Sequence, residues 1–361
     1  MNVHSCMFGK SFDVNFLSTW VGHHRNVITF KYLAACKASD KRHRIKDRGL
    51  SGVYNHTLAK ILAQYASAAY LEETTELFSW TCSRCNGLTM GFEIVELIID
   101  VEHCLQAYVG FANNLNSFVI AFRGTQGNSI QNWVADLYYK RLDLHYPDMP
   151  GAMVHRGFYS SYHNTTMQPA VLNAIKRAKK VYGNVSIIVT GHSLGGALAS
   201  FCAMDLKIRG EAKNIQAITF GLPRIGNAKF ASYYGRLIPQ TIRVANGHDI
   251  VPHLPPHYRF LPRKAYHHFP REIWIHSVHN GCLVHTKEEV CDGSGEDPRC
   301  SRSVMGYSIA DHLTYYGQEM AYYDSGKCYI VVDPHFAQFA NQDSRGNLVL
   351  SRRLPSSPIH P

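Results

Sequence analysis

Residues 190–196 read T-G-H-S-L-G-G, directly after V-S-I-I-V (Val185–Val189) and directly before the small-residue stretch A-L-A-S-F-C-A-M (Ala197–Met204). The β-branched run fits a buried strand and the alanine-rich stretch fits a helix packed closely on its neighbours. Between them G-x-S-x-G falls on Gly191, Ser193 and Gly195. A serine on a sharp strand-to-helix turn has its hydroxyl pushed out of the fold, and the flanking glycines spare neighbouring backbone a collision. The helix start also turns unpaired N–H groups toward negative charge developing there. The bare pattern arises by chance, and its place between strand and helix is what gives it weight. The competing reading is a tight turn with an idle serine. To act as a nucleophile, Ser193 needs a base, an orienting acid and two oxyanion donors from elsewhere in the chain.

In folds with this turn the acid follows the serine and the base follows the acid. Asp249 lies in R-V-A-N-G-H-D-I-V-P-H-L-P-P, just past a strand expected over Thr241–Ala245, where open α/β sheets place functional residues. Its structural alternative is an Asx-turn aspartate in a Gly/Pro loop. The base is less determined, because the chain has 21 histidines. His248 and His253 are too close to Asp249 in sequence to reach it from a separate loop. Spacing leaves His257, His267, His268, His276, His279, His285 and His312 open. An oxyanion hole needs two preorganised donors. One is expected from the backbone N–H of Leu194, the other from the loop closing V-I-A-F-R-G-T (Val119–Thr125), where Thr125 can add its hydroxyl. Arg123 in that loop reads as a buried structural cation, and His155 as structural too.

The wider chain supports an α/β fold. A helix is expected over Asn55–Tyr70, a hairpin from strands at Ala107–Val109 and Phe118–Phe122, and a long helix over Phe158–Tyr182 with a kink or break at Pro169. Strands follow at Val185–Thr190 and Ile215–Phe220. From Pro252 the chain is rich in Pro and His and reads as loop, Ser308–Tyr323 as helix, and 324–361 as a tail. Helices alternating with short buried strands argue for a mostly parallel sheet.

Composition narrows the class. The 361 residues are 45% hydrophobic, enough for a substantial core, and no apolar run is long enough to span a membrane. Much of the net charge of +10 sits in K-Y-L-A-A-C-K-A-S-D-K-R-H-R-I-K-D-R (Lys31–Arg48). Such an arm fits a solvated, disordered leader or an anionic lipid surface; without interleaved aromatics it does not favour nucleic acid. The nearest signal-peptide candidate, Val27–Cys36, is broken by Lys31, and the basic, acid-poor start weakly resembles a transit peptide, so an organelle such as the plastid stays open. The ten cysteines favour disulfides, hence an oxidising compartment, since no second tight Cys/His pair accompanies Cys82-x-x-Cys85 for zinc. Sequons at Asn55, Asn164 and Asn184 agree with secretion.

G-H-S-L-G-G, A-F-R-G-T, V-H-R-G-F (Val154–Phe158), T-F-G-L-P-R-I-G-N (Thr219–Asn227), D-I-V-P-H-L-P-P and A-D-H-L-T-Y-Y, in this order, together resemble the class 3 lipases, from about Asn55 to Tyr323. The resemblance implies an α/β-hydrolase fold over 52–323, after a leader over 1–51 and before the tail over 324–361. It implies Ser193 as nucleophile, Asp249 as acid, His312 as base, Thr125 and Leu194 as the oxyanion hole, and no metal or organic cofactor. It implies disulfides Cys82–Cys85 and Cys291–Cys300. It also makes a lid of Ser129–Tyr139, whose Ile130, Trp133, Val134 and Leu137 share one helix face; without it the same stripe reads as a permanently packed helix. The expected activity is acyl-ester hydrolysis of glycerolipids, triacylglycerol first, at a lipid–water interface. Rivals on the same scaffold are phospholipase A1, galactolipase and feruloyl esterase. A lipase-like signalling protein without catalysis ranks below them, because only about fifty residues follow His312.

Overall fold

A computed structural model describes residues 54–126, 129–139, 142–257, 265–280, 283–321 and 334–354. The basic leader expected over 1–51 lies outside them. The turn at Ser193 sits at the middle of a sheet of ten strands. These are β1 (Phe92–Asp100), β2 (Leu105–Ala112), β3 (Ser117–Phe122), β4 (Ser186–His192), β5 (Ile215–Phe220), β6 (Thr241–Asn246), β7 (Glu272–Asn280), β8 (Leu283–Val290), β9 (Ala340–Gln342) and β10 (Leu348–Ser351). Their order across the sheet is β8-β7-β6-β5-β4-β3-β2-β1-β10-β9. Strands β3 to β7 run parallel, and antiparallel strands flank them on both sides.

The central strands are buried on both faces, which is why they read as apolar runs rather than alternations. On one face lie α1 (His56–Ala68) and its aromatic neighbours Phe78, Trp80 and Phe92. Asn55 caps α1 by accepting from the Leu58 N–H at 3.0 Å. After α2 (Thr74–Ser79) the chain enters the sheet. The opposite face carries α3 (Ile130–Tyr139), α4 (Arg156–His163), α5 (Met167–Tyr182), α6 (Leu194–Ile208) and α7 (Ala228–Leu237). Helix α6 is almost wholly buried. Its glycines admit the sheet: a Cβ on Gly195 would stand 2.2 Å from the Phe122 carbonyl oxygen, and one on Gly191 would stand 2.3 Å from that of Gly195.

Four local expectations are corrected. The helix expected over Phe158–Tyr182 is two helices, parted at Asn164–Thr166. Pro169 falls in the first turn of α5, where its missing N–H has no partner to lose. The loop expected after Pro252 contains β7 and β8; the alternation of buried Ile273 and Ile275 was hidden among polar and histidine neighbours. Ser308–Tyr323 is not one helix. A single turn, α8 (Ile309–His312), gives way to a hairpin of Thr314–Tyr315 with Gln318–Glu319. Tyr316 (φ 52°) and Gly317 (φ 74°) both hold the left-handed conformation that a two-residue hairpin turn requires. Finally, the stretch after 323 supplies β9 and β10, and β10 pairs with β1 from Glu96↔Ser351 to Ile99↔Leu348.

Candidate active site

Strand β4 ends at His192 and α6 begins at Leu194, so Ser193 carries the whole reversal. Its backbone has φ 58° and ψ −128°, a strained state for a residue with a Cβ, held by Ser193 N–H donating to the Phe220 carbonyl at 2.9 Å. Ser193 is fully buried, and its Oγ has no hydrogen-bond partner.

Asp249 follows β6 and its turn. One carboxylate oxygen accepts from the Val251 N–H at 2.8 Å. The other accepts from His312 Nδ1 at 2.9 Å and from the Tyr315 hydroxyl. All three side chains are buried. With Nδ1–H donated to the carboxylate, a neutral His312 presents Nε2 as an acceptor, and this atom is buried without a partner. In this conformation Ser193 Oγ and His312 Nε2 are therefore both unbonded, as is common before substrate draws such a pair together. Burial, with the Asp249 charge beside it, keeps the Tyr315 phenol protonated far above the usual tyrosine range.

The loops of Asp249 and His312 are fastened to each other. Ser308 forms a parallel bridge with Asp249, and its N–H donates to the His248 carbonyl at 2.8 Å. The Asp311 carboxylate accepts from the His248 N–H at 2.7 Å, and Asn246 Nδ2 donates to the Asp311 and Thr314 carbonyls. Among the described residues, His312 is the histidine of the open set whose ring bonds to Asp249. His257 and His268 bond to backbone carbonyls at Tyr266 and Pro252, and His276 stacks on Trp274.

The Asp249 loop is also clamped from outside. Arg224 donates to both carboxylate oxygens of Glu296 at 2.7 and 2.8 Å, and to the His253 and Pro255 carbonyls that follow Asp249. Glu296 belongs to the loop closed by Cys291–Cys300, which is a disulfide, as is Cys82–Cys85. Cys104 is disulfide-bonded too, while Cys202 is a free, buried thiol.

On the other side of Ser193, the loop after β3 brings Arg123, Gly124 and Thr125. A Cβ on Gly124 would stand 3.1 Å from Ser193 Cβ, so the loop backbone touches the serine. Thr125 Oγ1 is buried without a partner, and Leu194 is the first residue of α6, where backbone N–H groups lack intrahelical partners. Arg123 donates to the Cys104 carbonyl at 2.8 Å. His155 caps α4, accepting from the Phe158 N–H at 3.2 Å and stacking on that ring. In α3, Ile130, Val134 and Leu137 are buried in the main core, Trp133 is half-buried against it, and Gln131, Asn132, Ala135 and Asp136 face outward. The residues that sequence reasoning missed are Tyr70, His192 and Tyr315; only the last carried a signal, three positions beyond His312.

A serine on a strained strand-to-helix turn, an imidazole and a buried carboxylate, on a sheet with a parallel centre and helices on both faces, define an α/β hydrolase. The class 3 lipase profile matches residues 119–259. A lipase of Rhizomucor miehei is 34% identical over 66% of this chain and 62% of its own length, so the chain spans about three-fifths of that relative. A secreted mono- and diacylglycerol lipase of Fusarium solani is 27% identical over 82% of this chain and 86% of its own. A solved triacylglycerol lipase whose catalytic centre is a serine-protease triad superposes with TM-score 0.62 and 31% identity, over 73% of this chain and 94% of its own. The chain belongs to the class 3 lipase family.

Proposed function

We propose that the chain is a serine carboxylic-ester hydrolase of lipase type, acting on acyl esters of glycerolipids, triacylglycerol foremost, at a lipid–water interface. The observation that carries this is the buried Asp249–His312 pair beside a serine on a strained turn. His312 Nε2 takes the proton of Ser193 as its Oγ attacks the ester carbonyl. The Leu194 N–H, with Thr125, stabilises the tetrahedral oxyanion. His312 then gives its proton to the departing alcohol, leaving an acyl-enzyme. Water, activated by His312 in turn, releases the fatty acid and restores the serine. Asp249 holds the Nδ1–H tautomer and balances the imidazolium formed in each half-reaction.

Full burial of Ser193 means that substrate enters only after some element moves. We assign that movement to α3, which would turn its Ile130/Trp133/Val134/Leu137 face from the core to lipid. Among the described residues no helix is long and apolar enough to cross a membrane. The disulfides and the secreted Fusarium relative support work in an oxidising, secretory setting. The test is hydrolysis of tributyrin across its solubility limit, wild type beside Ser193→Ala. A jump in rate when droplets appear, absent in the variant, is expected. Turnover by folded Ser193→Ala would overturn the site, and smooth saturation below the limit would remove the moving helix.

A further inference from the structure

The side chain preceding the serine is not used by the mechanism above, yet it touches the base. His192 Nε2 lies 2.8 Å from the His312 carbonyl oxygen, and His192 Nδ1 lies 2.7 Å from the Tyr70 hydroxyl. A carbonyl only accepts, so Nε2 carries the hydrogen. Burial, reinforced by His312 beside it, holds His192 far below the usual histidine range, so the ring is neutral. Nδ1 is then an acceptor, and Tyr70 donates to it. The Tyr70 oxygen also packs against the backbone of Gly124. The chain of bonds runs in one direction, from the Tyr70 O–H to His192 and from the His192 N–H to the His312 carbonyl. Both ring nitrogens of His192 are used, and Tyr70 and His192 are both buried. The packing is tight: the rings of His192 and His312 are 4.3 Å apart, and a Cβ on Gly124 would stand 2.2 Å from the Tyr70 oxygen.

We propose that Tyr70 and His192 are positioning residues that hold the oxyanion loop at Gly124–Thr125 and the backbone of His312 in one register on either side of Ser193. This rests on the functional reading above and deepens it. Asp249 fixes the imidazole of His312; the Tyr70–His192 link fixes its main chain, by a path that bypasses Asp249. A tetrahedral intermediate needs base and oxyanion donors placed together, and an error of an ångström at either costs up to about a hundredfold in rate. Ground-state binding of the ester does not need that match, so the effect falls on kcat.

The test compares wild type, Tyr70→Phe, His192→Gln and His192→Leu on tributyrin, with rates per site reactive to an aryl phosphonate ester and folding followed by circular dichroism. Tyr70→Phe is expected to lower kcat roughly tenfold or more with KM within about twofold. His192→Gln, whose amide can accept from Tyr70 and donate to His312, should keep more kcat than His192→Leu. Tyr70→Phe within twofold of wild type, or equal loss in the two His192 variants, would overturn the proposal. Should the variants not fold, nitrogen-15 histidine spectra of the wild type decide it. A neutral Nε2–H tautomer at His192 is required, and an Nδ1–H tautomer overturns it. Ser193→Ala in the same series separates this outcome from failure of the functional reading, since activity there would remove the site itself.

Discussion

Gly221, in T-F-G-L-P-R, is the position where one added methyl tests the site most directly. Its φ is +57°, and a Cβ built there would stand 2.8 Å from both His312 Cε1 and Nδ1, and 2.9 Å from Asp249 Oδ2. Ordinary contact begins near 3.4 Å, so the His312 ring must recede by about 0.6 Å in Gly221→Ala. The ring cannot recede freely, because His192 packs on it at 4.3 Å between centroids and Asp249 holds Nδ1. Two costs follow. A left-handed alanine costs about 1–2 kcal/mol of stability, which for a domain of about 300 residues lowers Tm by roughly 2–3 °C. A base displaced by about half an ångström lowers kcat by roughly 10–100-fold with KM little changed. Gly210→Ala is the control: its φ is +69° but nothing lies within 4 Å of the added methyl. It should show the same kind of Tm loss with unchanged kcat. The assay is tributyrin hydrolysis per phosphonate-titrated site, with thermal melts of all three proteins. A folded Gly221→Ala enzyme with kcat within threefold of wild type would refute the reasoning, because His312 would then not be the base or its position would not matter.

Asp249→Asn removes the charge that balances the imidazolium while keeping its shape; kcat should fall by about 10³–10⁴, and a loss under tenfold in the same assay would deny Asp249 its role. Glu296→Ala strands Arg224, whose side chain is 5% exposed, and should cost about 3–5 kcal/mol in urea unfolding; a loss below about 1 kcal/mol would contradict the clamp. Burial alone would raise the Glu296 carboxyl, but the charge and hydrogen bonds of Arg224 outweigh it and hold the group well below the carboxylate range. Its folded pKa is thus depressed, so its contribution is present above the unfolded value near 4.5 and lost as pH falls below it. The wild-type urea midpoint should therefore drop between pH 5 and pH 2, and Glu296→Gln should flatten that drop. For α3, Ile130→Ser with Leu137→Ser should lower the rate on emulsified tributyrin more than on a dissolved short-chain ester; an unchanged ratio would mean that this face never meets lipid.

What was legible in the sequence follows the range of the interactions involved. The strand, turn and helix around Ser193 are contiguous, so their order and the two glycines could be read directly. Asp249 stood out because it directly follows a strand. The choice among histidines was not local: nine lie between 248 and 312. What brings His312 to Asp249 is the bridge between Asp249 and Ser308, 59 positions apart, and only the family resemblance pointed to that histidine in advance. The hairpin after His312 was misread because A-D-H-L-T-Y-Y has helical composition, while the left-handed Tyr316–Gly317 turn overrides it. Tyr70 and His192 gave no signal, since a tyrosine in a buried helix end and a histidine beside a serine read as packing until their partners are known.

The pairing of β1 with β10 has a consequence for how the chain is made. Glu96 meets Ser351, a partner synthesised some 250 residues later. Until the last fifteen or so described residues leave the ribosome, β1 presents an open edge, and open edges recruit other strands. Nascent chains, and products of a premature stop between Leu313 and Leu348, would share that exposure with Ser193, Asp249 and His312 all present. A frameshift near the end of the gene is therefore expected to be read as insolubility, with every residue of the proposed catalytic machinery intact.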